Sequence, residues 1–250
     1  MSRFLLTIKY LGTHFCGWQV QPNGITVQEV MCNTLKSIFK TDISVTGCSR
    51  TDSGVHALMY CCHFDADTSM GNENIIKALN SNLPASVVCI DCKKVSDDFH
   101  ARYNSTGKNY IYRIYNAPIR EPFLEDRALW CKQALDINRM ETAAKLFLGK
   151  HDFTAFCSSG SSVENKVRTV TECKITKENE MIEISVSADG FLYNMVRIIV
   201  GTLIEIGSGT REVESIEKAF ETNNREFAGR TVAPHGLYLN KVFYGEQKNG

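Results

Sequence analysis

Apolar positions change period along the chain, and the changes mark its elements. From Phe4 to Tyr10 the run is short, β-branched and aromatic, which predicts a strand. After a glycine-punctuated loop from Gly12 to Pro22, the residues Val27, Val30, Met31, Thr34, Leu35 and Ile38 fall at helical spacing. Thr26 stands at the N-cap with Glu29 three residues on, a capping box. Ile43-Ser44-Val45-Thr46 and Met59 to Phe64 predict two strands, Asn72 to Asn82 a helix stopped by Leu83-Pro84, and Val87 to Val95 another strand. The order β-α-β-β-α-β is that of a ferredoxin-like unit, with helices on one face of an antiparallel sheet.

The remainder alternates in the same way. Lys108 to Asn116 predicts a strand with Tyr110, Tyr112 and Ile114 on one face and Ile111, Arg113 and Tyr115 on the other. Pro118 to Pro122 reads as a linker, and the helix expected from Ile137 to Phe147 would bury Met140, Ala143, Ala144 and Phe147. A Ser-rich loop, Cys157 to Asn165, precedes strands near Arg168 to Thr176 and Met181 to Ala188. A largely apolar helix from Phe191 to Leu203, an amphipathic helix from Glu212 to Glu221 and a last strand reaching Tyr244 close the chain. The fold class expected is α+β, in two domains, 1–105 and 106–250.

Composition narrows the class. At 250 residues, with 43% hydrophobic and 22% charged residues, the chain can bury a sizeable core. No apolar run approaches a membrane span, and the N-terminus enters a strand instead of a signal peptide, so the expected location is the cytoplasm, away from membranes. Lys plus Arg and Asp plus Glu are 28 each, and neither half is globally basic, so any nucleic-acid binding has to come from a local patch. Ten cysteines suggest disulfides or a metal until their spacing is read. Cys89 and Cys92 form the one C-x-x-C, without a second pair, and strand alternation points their sulfurs to opposite faces. Reduced thiols acting as small core hydrophobes are the expectation, with no metal site.

One connection concentrates chemistry. Gly47-Cys48-Ser49-Arg50-Thr51-Asp52-Ser53-Gly54-Val55-His56-Ala57 joins two predicted strands, and Asp52 is its one acidic residue. Arg50 lies two positions earlier, so extended backbone would put both side chains on one face and hold Asp52 ionised, as an anionic nucleophile or base requires. A polar β-turn, with Asp52 capping a backbone N–H and Arg50 a surface partner, accounts for the same residues. Further on, Tyr110 lies among basic and aromatic neighbours, a combination that suits stacking of unpaired bases and holding of phosphates, although tyrosines are also good strand formers. Arg197 sits alone in an apolar helix and needs a partner there.

The segment Arg50-Thr51-Asp52-x-Gly54-Val55-His56-Ala57 resembles the G-R-T-D-A-G-V-H-A signature of the tRNA pseudouridine synthase A family. Companion motifs follow in matching order: Tyr10-x-Gly12-Thr13-x-Phe15-x-Gly17-Trp18-Gln19-x-Gln21 with Thr26-Val27-Gln28; Phe99-His100-Ala101-Arg102-Tyr103 with Lys108-x-Tyr110-x-Tyr112; Gly149-x-His151-Asp152-Phe153-x-x-Phe156; and Ala233-Pro234 leading to Gly236-Leu237-x-Leu239. The resemblance implies isomerisation of uridine to pseudouridine at positions 38, 39 and 40 of the tRNA anticodon arm, by an enzyme that needs no cofactor. It implies two ferredoxin-like (RRM-like) halves around an RNA-binding cleft, paired as a homodimer.

By the same resemblance Asp52 is the catalytic carboxylate, attacking sugar or base or removing a ribose proton. Arg50 and Arg197 support it, Tyr110 stacks on the uracil, and Leu237 or Leu239 packs on the base. His100, Arg102, Lys108, Lys166 and Arg168 then steer the tRNA backbone. Trp18 is either a core anchor or an RNA contact. The chain departs from the pattern at Leu11, Cys48 and Ser49; if position 49 needs a positive φ, a serine there strains the Asp52 loop. A non-catalytic tRNA-binding protein and a carboxylate-nucleophile hydrolase are the rival readings, and no second acid stands near Asp52 in sequence to serve the latter.

Overall fold

The computed structural model describes residues 1–245. In chain order the first elements are β1 (Ser2–Tyr10), α1 (Val27–Phe39), β2 (Thr46–Gly47), β3 (His56–Ala66), α2 (Asn72–Asn82) and β4 (Val87–Val95). Next come β5 (Ser105–Asn116), β6 (Leu129–Cys131), α3 (Ile137–Lys145), β7 (Gly149–Asp152), β8 (Val167–Glu178) and β9 (Met181–Ala188). The last are α4 (Met195–Gly207), α5 (Ser215–Thr222) and β10 (Leu237–Tyr244). The fold is mixed α/β, with five α-helices among the described residues. It divides into two compact units, Met1–Thr106 together with the chain from Tyr238 on, and Gly107–Leu237.

In the first unit β1 is central, antiparallel to β3 (Leu6 opposite Cys62) and to β4 (Leu6 opposite Cys92). β2 adds to β3 antiparallel, and β10 joins β3 in parallel with Tyr238 opposite His56. The segment from Tyr238 thus belongs with the first unit, where the sequence reading kept it in a half running from 106 to 250. α2 packs on β4 and α1 on α2, and Met31, Leu35, Ile75 and Leu79 of the helices and Leu6, Ile8 and Phe64 of the sheet are buried. Each such side chain contributes about 1.5–3 kcal/mol by leaving water. α1 starts as its capping box requires, Glu29 N–H donating to Thr26 Oγ1 at 3.3 Å.

In the second unit the sheet runs β5-β9-β8-β7, all antiparallel, with β6 parallel on β5. α3 packs on α4 and on β8. Tyr112, Ile114, Ile182, Ile184, Phe147, Phe153, Phe156, Ile199 and Leu203 form its core.

Three local expectations are corrected, and one short strand was not expected. Of Ile43 to Thr46, only Thr46 pairs as strand, with Gly47; Ile43 and Val45 are buried without it, so their apolar character reports packing instead of pairing. Cys89 and Cys92 are both buried, because the β1–β4 register slips between Thr7 and Ile8 and opposes Asp91 and Cys89 to successive residues. The extra residue, Ile90, reverses the alternation. The apolar helix begins at Met195, not Phe191, because Asn194 takes a left-handed conformation at φ 60°. β6 has three residues, too few for a sequence period to declare itself. The ten cysteines are free thiols.

Candidate active site and nucleic-acid interface

The Asp52 loop is gripped by the loop after β1. Trp18 N–H donates to Thr51 O at 3.1 Å, and the Tyr10 and Thr51 hydroxyls share a hydrogen bond of 2.8 Å. Gly12 N–H donates to His56 Nδ1 at 2.9 Å. Two glycines permit this approach: a Cβ on Gly12 would lie 2.0 Å from Val55 O, and one on Gly17, whose φ is +80°, 2.5 Å from Thr51 O. Below the loop Trp18 stacks on Tyr60 at 4.1 Å, and the Tyr60 hydroxyl donates to Ser49 O. Burial pushes that phenol well above its ordinary pKa, so it remains a donor.

Val55 N–H closes the turn onto Asp52 O at 3.2 Å, with Gly54 at φ +79°. Asp52 is half-buried at its tip. Ser49 does not occupy the left-handed region, so the departure at that position strains nothing. Arg50 is exposed, and among the described residues no ion pair joins it to Asp52. Residues 50–52 lie in no strand and the turn falls at Ser53 and Gly54, so the alternation of a strand does not govern Arg50 and Asp52.

Beside this loop stands the turn between β4 and β5. Phe99 and Ala101 are buried, while Tyr103 is 76% exposed. His100 Nδ1 accepts the N–H groups of Arg102 (3.1 Å) and Tyr103 (3.2 Å). The His100 ring stacks on Tyr103 at 4.2 Å, and the Arg102 guanidinium lies 5.9 Å from the Tyr103 ring centre. The turn is tied down by His63 of β3, whose Nδ1 accepts Ala101 N–H at 3.1 Å. Burial first, then Arg3 and His100, lower the His63 pKa to about 4, which keeps it a neutral acceptor. Tyr244 donates to Ala101 O at 2.8 Å from the other side.

A cavity of ≈ 190 Å³ opens among these pieces, lined by Arg50, His100, Arg102, Tyr103, Gln19 and Gln28, with Trp18, Val45, Thr46, Gly47 and Ser49 behind them. The structure thus gathers Arg50, His100 and Arg102 on one wall system. Sequence reasoning missed Tyr10, Tyr60 and His63 as supports. The signal was there: each is a polar side chain inside an otherwise apolar strand, and a buried polar group has to have a partner.

In the second unit, Tyr110 near the start of β5 is buried edge-on to Phe191 at 5.0 Å. Lys108 pairs with Ala188 across β5–β9, and Val170 pairs with the same Ala188 from β8. Lys108, Tyr110 and Arg168 therefore share one end of this sheet. Arg168 Nη1 donates to Asn165 O at 2.9 Å and Val167 O at 2.6 Å, ordering the approach to β8. Lys166 is held through its backbone, its carbonyl accepting Phe153 N–H at 3.1 Å.

Arg197, in the first turn of α4, donates from Nε to Val232 O at 2.7 Å and from Nη1 to Asn194 Oδ1 at 2.6 Å. The close approach of residues 229–232 to α4 rests on Gly201, where a Cβ would meet Arg230 O at 1.8 Å, and on Gly229 against Thr202. Leu237 is buried just beyond Gly236, which lies against the Tyr112 ring.

The family model described as tRNA pseudouridine synthase matches residues 6–104 and 143–245. Tyr10 and the Asp52 loop, Arg197 and the 229–237 segment all fall inside those ranges. The chain is 46% identical over 245 residues to tRNA pseudouridine synthase A 2 of Clostridium perfringens, covering 98% of this chain and 100% of that one. It is 42% identical to tRNA pseudouridine synthase A of Acetivibrio thermocellus (98% and 100% covered) and 40% identical to that of Exiguobacterium sibiricum over the full length of both. The chain belongs to the tRNA pseudouridine synthase family.

Proposed function

We propose that the protein isomerises uridine to pseudouridine in tRNA, at positions 38, 39 and 40 of the anticodon arm, with Asp52 as the essential carboxylate. The observation that supports the reading is the built loop: Gly12 and Gly17 let the loop after β1 close on Val55 and Thr51, on both sides of Asp52, and Trp18 N–H donates to Thr51 O. A uridine in a stacked stem is out of reach of such a group, so the target nucleotide is flipped out at a cost of a few kcal/mol. The C1′–N1 bond breaks, the uracil turns, C5 bonds to C1′, and the proton lost from C5 is balanced by one gained at N1. Nothing is oxidised or transferred to another molecule, so the chemistry calls for no cofactor.

Arg50 and Arg197 serve as catalytic support, Tyr110 stacks on the uracil, and Leu237 packs on it. His100, Arg102, Lys108, Lys166 and Arg168 hold the tRNA backbone. In the first unit the order β4-β1-β3-β2 with two helices supports a ferredoxin-like half of a pseudouridine synthase fold, and the second unit is read as its counterpart. The enzyme works as a cytoplasmic homodimer, as the resemblance implies; light scattering on the purified protein tests the pairing.

The direct test incubates the protein and Asp52→Ala with an unmodified tRNA transcript and maps pseudouridine by chemical probing. Wild-type product, reduced by roughly a thousandfold or more in the variant, is the expected outcome. Absence of product from both, with tRNA still bound, favours a binding protein.

A further inference from the structure

We infer that the cavity of the first unit is a second nucleotide subsite, which holds a nucleotide of the bound RNA other than the uridine that is isomerised. The inference rests on the RNA reading above and adds a second point of recognition to it. Its volume of ≈ 190 Å³ corresponds to about six liquid waters, the scale of one pyrimidine ring.

The chemistry of its walls selects the occupant. Of the eleven lining residues, which are all among the described ones, two are arginines, one is histidine and none is acidic, so the cavity favours an anion. Tyr103, largely exposed and stacked on His100, offers a ring face to a base, and Arg50 and Arg102 offer guanidinium groups to its phosphate. Nδ1 of His100 is occupied by two backbone N–H groups, which leaves its Nε2 edge to face an occupant.

The back wall is rigid. Gln28 spans it with Nε2 donating to Val45 O at 2.8 Å and Oε1 accepting Val20 N–H at 3.0 Å. Gly47 lies so close to Tyr60 and Trp18 that a Cβ would meet the Tyr60 hydroxyl at 2.1 Å. Such preorganisation lowers the ordering cost of binding. Arg50, at the rim, is two residues from Asp52, which places the subsite next to the reacting nucleotide along the strand.

The test is a binding cycle in the Asp52→Asn background. Single abasic nucleotides are placed in turn through the anticodon arm, and each RNA is titrated against the protein with and without Gln19→Trp, an exposed residue at the cavity mouth. At one position outside the isomerised uridines, loss of the base is expected to weaken binding to the unblocked protein about tenfold, the worth of one stacked base. It should weaken the Gln19→Trp protein by less than about twofold. Thr46→Trp, checked for an unchanged melting temperature, blocks the same space from behind and should repeat the result.

Equal losses in blocked and unblocked proteins at every position overturn the subsite while leaving the RNA reading intact. Failure of the protein to bind tRNA overturns the RNA reading itself. Displacement by free nucleoside monophosphate, with no coupling to any RNA position, overturns the assignment to an RNA nucleotide.

Discussion

The Asp52 loop and the Phe99–Tyr103 turn lie in one unit and bear on the same cavity, yet they are held by different means. The first is fixed by backbone meeting backbone, with Gly12 and Gly17 supplying room that no other residue would leave. The second is tied by side chains, with His63 accepting Ala101 N–H, Tyr244 donating to Ala101 O and Arg3 donating to Phe99 O, and it displays Arg102 and Tyr103 to solvent. The contrast fits the two tasks proposed for them: a reacting carboxylate has to be held in place closely, since a shift of about 1 Å can cost about a hundredfold in rate, whereas groups that hold a charged backbone tolerate motion.

The sharpest way to break this contrast is at the glycines. Gly17→Ala forces a side chain into a left-handed conformation and against Thr51 O. It should cost about 3 kcal/mol or more, lowering the melting temperature by several degrees and kcat by orders of magnitude. A kcat within tenfold of wild type would show that the clamp does not position Asp52.

Next comes His63→Leu, which leaves Ala101 N–H without its acceptor at a cost of about 1–3 kcal/mol. It should raise KM for tRNA while kcat holds, and His63→Asn, whose amide oxygen can take the place of Nδ1, should restore much of the loss. The same residue predicts a pH dependence. Its folded pKa of about 4 lies below the ordinary value of 6.5, so the unfolded chain takes the proton first. The contribution is whole above pH 6.5, erodes as the pH falls toward about 4, and changes no further below. Arg3 and His100 disfavour the proton and Asp65 favours it. Thermal melts across that window should be flatter for His63→Asn.

The smallest effect belongs to Arg102→Ala. It should weaken tRNA binding without changing single-turnover chemistry and lower the salt slope by about one. A collapse of chemistry would erase the division of labour between loop and turn.

Much of this was legible in the residues. α2 matches its expected bounds because Leu83-Pro84 stops it, and α1 begins where its capping box says. The Asp52 loop was visible as polar residues between glycines and apolar runs. What was not legible depends on registers and contacts distant in sequence. The slip between Thr7 and Ile8 reversed the prediction for Cys89 and Cys92, and no local pattern announces a bulge. Burial pushes both of those thiols up to about 12. A shared face for Arg50 and Asp52 was conditional on a strand, and residues 50–52 lie outside one. The grip of Gly12 on Val55 joins positions whose spacing in sequence carries no period at all.

The parallel pairing of β10 with β3 has a consequence in time. Tyr238 stacks on His56 at 4.6 Å and Tyr244 reaches Phe99 and Ala101, so parts of the first unit are covered by residues made about 130 positions after the rest of it. At roughly 5–20 residues per second of synthesis, the delay is on the order of ten seconds. For that interval a nascent chain carries His56, Phe99 and Ala101 without their final cover, and a ribosome stalled anywhere in the second unit leaves them so.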